Sequence, residues 1–290
     1  MTLLKVLGVI GSARKLGNCE VLVKEALFQV QEKGAEVRAL RLPDFQLQPC
    51  KGCLACVMKG ELCRLPDDMH TLWEHLEWAD AIILSAPTYF LGPAGSIKLL
   101  IDRLFEYSLQ LGRKKRRPGA IIATAGLRDW DPFTLPMLSM LAGILQLDLV
   151  DRFTAYRPGP GEVLLDKDTM ARVQLIGDKL LEFVDNPNAV RPLPIPSNAC
   201  PQCGTPFFQL RQENMVECQL CLAQGTLQYH EGISTITWKK EEQKDRWSPE
   251  AMAKHFSEWV LRTGPVYQTL REEIKSRIKK YQKIPIIPNV

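Results

Sequence analysis

The residues with the most chemistry in this 290-residue chain are its nine cysteines, because eight of them fall into two quartets. Cys50-Lys-Gly-Cys53-Leu-Ala-Cys56, followed by Cys63, gives a C-x2-C-x2-C-x6-C run. Three closely spaced thiolates grip one metal cluster and a fourth closes it, which is what a [4Fe-4S] cubane needs. Zinc also accepts four thiolates, yet its sites normally come as two separated pairs. Runs that hold two clusters place the fourth cysteine three residues on and follow it with proline. Cys63 has neither feature, so a single cluster is expected. The second quartet is built differently: Cys200-Pro-Gln-Cys203 and Cys218-Gln-Leu-Cys221 form C-x2-C-x14-C-x2-C, the paired knuckles of a zinc ribbon. Zinc is the expected ion there. A mononuclear iron, which uses the same tetrahedral sulfur geometry and would add an electron relay, is the alternative. The metal would largely fold this segment, since about forty residues bury little apolar core unaided.

These cysteines need a scaffold, and the chain supplies one through about residue 184. Strand-like runs at residues 4–10, 36–42, 79–85, 119–124 and 147–154 alternate with helical ones at 18–31, 96–105, 132–145 and 167–184. That alternation predicts an α/β, doubly wound parallel sheet of five strands with helices on both faces. The first quartet then lies in a loop, residues 47–66, after the second strand. Residues 185–197 hold four prolines and read as a semi-rigid linker. The ribbon follows at 198–240 and a helical tail at 241–290, opening at Ser248-Pro-Glu with a plausible N-cap. Gly264-Pro265 is expected to break that tail into two helices. Arg271-Glu-Glu-Ile-Lys-Ser-Arg-Ile-Lys-Lys280 carries the alternating charges of an exposed helix.

Composition narrows the partners. At 46% hydrophobic and 24% charged the chain has an ordinary globular profile, and a net charge of +4 is too mild for a nucleic-acid binder. One basic run, residues 113–117, reads as a solvated loop; an acidic redox partner or the phosphate of a nicotinamide cofactor are its functional alternatives. The N-terminus has no secretory pattern and no uncharged apolar run reaches ~18 residues, so no membrane segment and a reducing, cytoplasmic setting are expected. The histidines (His70, His75, His230, His255) are scattered without nucleophile or acid partners, and no catalytic residue is assigned.

Between the first strand and first helix lies Gly11-Ser-Ala-Arg-Lys-Leu-Gly-Asn-Cys19. Backbone N–H groups and the helix dipole converge there on a point that favours anions, and a phosphate monoester fits. Ser12, Asn18 and Cys19 offer side-chain donors, Arg14 charge, and Gly11 and Gly17 tight turning. No dinucleotide or Walker pattern is present. On the residues alone, a merely structural turn stays open.

This loop resembles the Gly-Ser-x-Arg-x-x-Gly-Asn-Thr loop of the NADPH-dependent FMN reductase family, within the flavodoxin-like fold, with Cys19 in place of threonine. Ala86-Pro-Thr-Tyr-Phe-Leu-Gly92 is similar to the family's Pro-x-Tyr-Phe segment after the third strand. The resemblance implies FMN, with Pro87, Thr88, Tyr89, Phe90 and Gly92 around its ring, at the carboxyl ends of the strands where doubly wound sheets bind ligands. Thr124 and Gly126, after the fourth strand, form a third expected contact. The cysteine run, continued by Asp67-Asp68-Met69, resembles the iron–sulfur flavoprotein branch of that family. Membership there implies a homodimer or homotetramer and a redox partner.

The leading expectation is therefore an oxidoreductase passing electrons between FMN and a [4Fe-4S] cluster, addressed by a ferredoxin or similar protein. Direct NAD(P)H-dependent reduction of flavin or a quinone is a second reading. A redox-sensing binding protein that uses its ribbon is a third.

Overall fold

The structure, a computed structural model, describes residues 3–107, 116–187, 193, 195–196, 198–239 and 245–284. Lysines 240 and 244, residues 113–115 of the basic run and much of the proline-rich linker lie outside them. Five strands run parallel: β1 (Lys5–Ile10), β2 (Glu36–Arg41), β3 (Ala81–Tyr89), β5 (Arg117–Ala125) and β6 (Leu147–Tyr156), in the order β2-β1-β3-β5-β6. A two-residue strand, β4 (Gly92–Pro93), folds back antiparallel on β3. Strands β1, β3 and β5 are almost wholly buried, as near-continuous apolar runs should be when helices cover both faces. This is the expected flavodoxin-like sheet.

One face is closed by α1 (Asn18–Glu32) and the last helix of the domain, α6 (Lys167–Asp185). Leu22, Val23, Ala26 and Val30 recur at helical spacing on α1 and pack with Val173, Ile176 and Leu180 of α6 against Val6, Ile83 and Ile122. Gly8 lets α1 settle directly on β1, where a Cβ would lie 2.4 Å from Cγ1 of Val23. The opposite face is covered by α3 (Met69–Trp78), α4 (Gly95–Arg103) and α5 (Thr134–Ile144). The helix α3 and the five-residue α2 (Ala55–Lys59) are additions to the elements expected from sequence.

The C-terminal part forms a separate antiparallel sheet from β7 (Phe208–Leu210), β8 (Met215–Cys218), β9 (Gln224–His230) and β10 (Ile233–Trp238), in the order β10-β9-β8-β7. The tail follows as α7 (Pro249–His255), a π-helical turn (Phe256–Val260) and α8 (Leu261–Ile278). Ser248 caps α7 by accepting from the Ala251 N–H, as its position suggests. Gly264-Pro265 does not break the tail. Pro265 lies inside α8, and the irregularity sits earlier, in the widened Phe256–Val260 turn. Among the described residues no helix is long and apolar enough to cross a membrane.

In the described part of the basic run both arginines are half-buried and paired. Arg117 donates to the carbonyls of Leu76 and Ala79 at 2.6 and 2.5 Å, closing the end of α3. Arg116 pairs with Asp148 at 2.6 Å.

Candidate functional site

Strands β1, β3 and β5 deliver three loops to one cleft at their carboxyl ends. Ser12, Arg14, Gly17, Asn18 and Cys19 line it from the first loop, Pro87, Thr88 and Tyr89 from the second, Thr124, Ala125 and Gly126 from the third. Gly17 caps α1 in an extended conformation without a side-chain hydrogen bond. The first-turn amides of the helix therefore have no side chain to satisfy them, which suits an anionic group. Glu20 shapes the loop from beneath: its Oε2 accepts from the Leu16 N–H at 2.8 Å, and Leu16 has a φ of 52°. Burial alone would raise the pKa of Glu20; Lys24, Arg41 and the Leu16 amide override it and bring the carboxyl down to about 2.

Individual roles differ from those the sequence suggests. Asn18 spends its amide on Arg157 and Gly159 carbonyls, at 2.9 and 3.0 Å, and so fastens the loop after β6 to the first loop. Cys19 is buried and hydrogen-bonds Thr124 at 3.2 Å, tying the first loop to the third; burial raises its pKa. Arg157, Pro158 and Pro160 complete the lining and were not anticipated. Their signal was present as Arg157-Pro-Gly-Pro-Gly161, a rigid turn at the carboxyl end of the fifth parallel strand.

Phe90 and Gly92 are not among the lining residues. Phe90 and Leu91 are the two central residues of a hairpin between β3 and β4, with φ of 47° and 71°, and the Phe90 side chain is fully exposed. Such two-residue turns need positive φ at both positions and favour Asn-Gly. Here the Phe133 N–H holds the turn by donating to the Leu91 carbonyl at 3.0 Å. Thr88 is fixed in turn by a hydroxyl contact of 2.8 Å to Thr134.

After β2, at the same end of the sheet, the first cysteine quartet surrounds a cavity of about 210 Å³. Cys50, Cys53, Cys56 and Cys63 all line it, with Leu54, Leu62, Leu65 and Phe105. Lys51, Glu61 and Arg64 share the lining, Cys50 and Cys53 are exposed, and among the described residues only the second quartet has its sulfurs drawn to metal-binding distance of one another. Four thiols around a hollow of this size are the donor set that a sulfide-bridged cluster requires. The neck of the loop is clasped from α4. Arg103, whose side chain is 2% exposed, donates to the Gln48 carbonyl at 3.0 Å and forks onto Asp67; Asp67 also accepts from the Gln48 N–H at 2.9 Å. Residues just before Cys50 and just after Cys63 are thereby joined, which gives Asp67 a physical role. Burial alone would raise the Asp67 pKa, but Arg103 and the N–H groups of Gln48 and Met69 hold it below the usual carboxylate range. Burial pushes the Cys56 thiol up.

The second quartet is gathered much more tightly. Its four sulfurs lie within 4.8 Å of one another, with Cys200 to Cys221 at 3.6 Å and Cys203 to Cys218 at 3.4 Å. A tetrahedral ion with bonds of about 2.3 Å to sulfur needs edges of about 3.8 Å, so the spacing suits one ion and no cluster. Both knuckles close alike: Gly204 N–H donates to the Cys200 carbonyl at 2.6 Å and Leu222 N–H to that of Cys218 at 3.0 Å. The ribbon rests on the sheet domain through Phe207, whose ring lies 5.4 Å from that of Phe133, the residue that holds the Phe90-Leu91 turn. All nine cysteines are free of disulfides.

Known proteins bear on this arrangement. A family model described as NADPH-dependent FMN reductase matches residues 4–131. The chain is 37% identical over 189 residues to an iron-sulfur flavoprotein of Methanocaldococcus jannaschii, spanning 62% of this chain and 97% of that one. It is 29% identical over 191 residues to an iron-sulfur flavoprotein of Archaeoglobus fulgidus, spanning 65% and 84%. A solved flavone reductase superposes with a TM-score of 0.75 at 20% identity, over 99% of this chain and 100% of that one, so the ribbon and tail share its fold as well as the sheet domain. With its flavodoxin-like sheet, its loop cleft and its compact cysteine run, the chain belongs to the NADPH-dependent FMN reductase family, in the iron–sulfur flavoprotein branch, and is a flavin-dependent oxidoreductase.

Proposed function

We propose that this protein passes electrons between FMN in the three-loop cleft and a [4Fe-4S] cluster held by Cys50, Cys53, Cys56 and Cys63, with a ferredoxin or similar small redox protein as partner. The observation that carries this reading is the contrast between the quartets: the first lines a cavity of about 210 Å³, the second closes to single-ion spacing. When bound, FMN handles electron pairs and the cluster single electrons, so together they can couple two-electron and one-electron donors. The protein's part is positioning. Ser12, Arg14 and the first-turn amides of α1 receive the phosphate, while Pro87, Thr88, Tyr89, Thr124 and Gly126 flank the ring. Loops after β1, β2, β3 and β5 share one end of the sheet, which supports transfer between the sites. Zinc in the second quartet is structural in this reading. The residues fall into a sheet domain (1–184), a linker, a ribbon (198–240) and a tail. Nine free cysteines suit a reducing, cytoplasmic setting, and the exposed Phe90 and Trp130 beside the cleft suit assembly as a homodimer or homotetramer.

A second reading, direct reduction of a quinone or other planar acceptor by NAD(P)H, is favoured by the family match. One experiment separates the two. Anaerobically purified protein should contain about four irons, four sulfides, one zinc and one FMN per chain. Reduced ferredoxin should then bleach the flavin faster than NADPH does. Two zincs with no sulfide would defeat the cluster reading, and rapid bleaching by NADPH alone would install the second.

A further inference from the structure

Arg152, on β6, is a buried cation without a carboxylate. The residue is 4% exposed, and its Nε has no hydrogen-bond partner. Its neighbour Asp151 is committed elsewhere, to Arg172 at 2.6 Å and Lys179 at 2.5 Å. Among the described residues no ion pair includes Arg152. A buried charge left unpaired is strongly destabilising, so a compensating negative charge is to be sought beside it.

The guanidinium points at the first knuckle of the ribbon. An alanine Cβ at Gly204 would fall on Nη1 of Arg152, and Gly204 has a φ of 65°, so both space and backbone reserve this place for glycine. Gly204 directly follows Cys203, and its N–H donates to the Cys200 carbonyl. Four thiolates around a divalent ion leave surplus negative charge, which in a closed site is weakly hydrated and needs a partner. Arginine suits the task because its planar cation tolerates burial and keeps its proton.

We propose that Arg152 is the counter-charge of the ribbon's metal centre, a guanidinium supplied by the flavin-binding sheet that ties the loaded ribbon to strand β6. Arg152 is then a positioning residue: it touches neither flavin nor cluster, and acts by stabilising the thiolate centre and seating the knuckle on the sheet. The inference rests on the reading of Cys200, Cys203, Cys218 and Cys221 as a metal site. It goes beyond that reading by making metal loading and docking of the ribbon one linked event.

The test uses the full chain with its iron–sulfur cluster in place and cobalt(II) loaded into the second quartet. The thiolate-to-cobalt absorption is titrated against a competing chelator. Arg152→Met should bind cobalt about 10- to 100-fold more weakly than the unmodified chain, the range seen when partners just outside a metal site are removed. Arg152→Lys should recover part of the loss, and both should keep their FMN. Wild-type affinity in Arg152→Met would overturn the proposal. No cobalt spectrum in the unmodified chain would instead remove the metal site itself, and the proposal with it. Hydrogen exchange on the unmodified chain decides the matter should the methionine variant not fold. Chelation should strip protection from residues 198–206 and from β6 together, and an unchanged β6 refutes the link.

Discussion

Glu20→Gln probes how the anion loop is held. The carboxylate accepts from Lys24 at 2.6 Å, Arg41 at 2.7 Å and the Leu16 N–H at 2.8 Å, with its side chain 4% exposed. Its pKa falls from an ordinary 4.5 to about 2 despite the burial that opposes the change. At 1.36 kcal/mol for each tenfold change in proton affinity, the difference amounts to about 3 kcal/mol of folding stability near neutral pH. Because the folded pKa is the depressed one, this stabilisation is complete above about pH 4.5 and is lost as pH falls toward 2. The glutamine variant keeps the size and one acceptor for Leu16 but not the charge. Urea unfolding of both proteins, matched for cofactor content, should give a gap of about 3 kcal/mol at neutral pH, shrinking to about 1 kcal/mol near pH 3. Weaker FMN binding should accompany the gap, because Leu16 sits in the loop proposed to receive the phosphate. A gap below about 1 kcal/mol at neutral pH, or one that does not close on acidification, would refute this account of the loop.

Three other outcomes follow from the geometry. Asp67→Asn removes the closer of the two buried carboxylates on Arg103 and leaves only Glu106, at 3.5 Å, which should cost about 1–3 kcal/mol; iron and sulfide per chain should drop in anaerobic preparations while FMN is retained. Gly8→Ala drives a Cβ against Val23 and Leu27 at 2.4 and 2.8 Å, so a thermal scan should show about 1–3 kcal/mol of lost stability from overpacking, with the cleft chemistry intact. Cys218→Ser removes one of four thiolates; metal analysis should find one ion fewer per chain, and limited proteolysis should cut within residues 198–239 first, since the metal contributes much of that segment's folding energy.

The sheet, the three loops that line one cleft and the gathering of the second quartet were legible in the sequence, because each rests on a local pattern: apolar runs, helical spacing, glycine turns and paired cysteine knuckles. What escaped it depends on distant residues. Helix α2 is five residues long, begins after Leu54 at a φ of 56°, and is held by Val57 packing on Phe256 and Val260, about two hundred positions away in the chain; a segment that short cannot sustain a helix alone. Helix α3 carries Leu72, Trp73 and Leu76 at helical spacing, but its Asp68 N-cap makes no side-chain cap bond that would have announced it. The Phe90-Leu91 turn lacks the Asn-Gly chemistry of its type and is held by Phe133 instead. Asn18 was legible as a cleft residue but not as a clasp, because its partners at Arg157 and Gly159 come after the last parallel strand. The opposite error arose at Pro265, a strong local breaker that nonetheless lies inside α8.

The packing of the tail on the cysteine loop has a consequence for the order of assembly. The Phe256 ring packs at a tilt, 5.5 Å from that of Phe105, which itself lines the cysteine cavity, and Val260 closes on Val57 beside Cys56. These covering residues are made long after Cys50 to Cys63, because a ribosome extends the chain from its N-terminus and early domains fold first. During synthesis the four thiols thus stand on a folded sheet with their lid still to come. For the cluster proposed above, delivery of iron and sulfide would be easiest in that interval, before the last helices seal the loop.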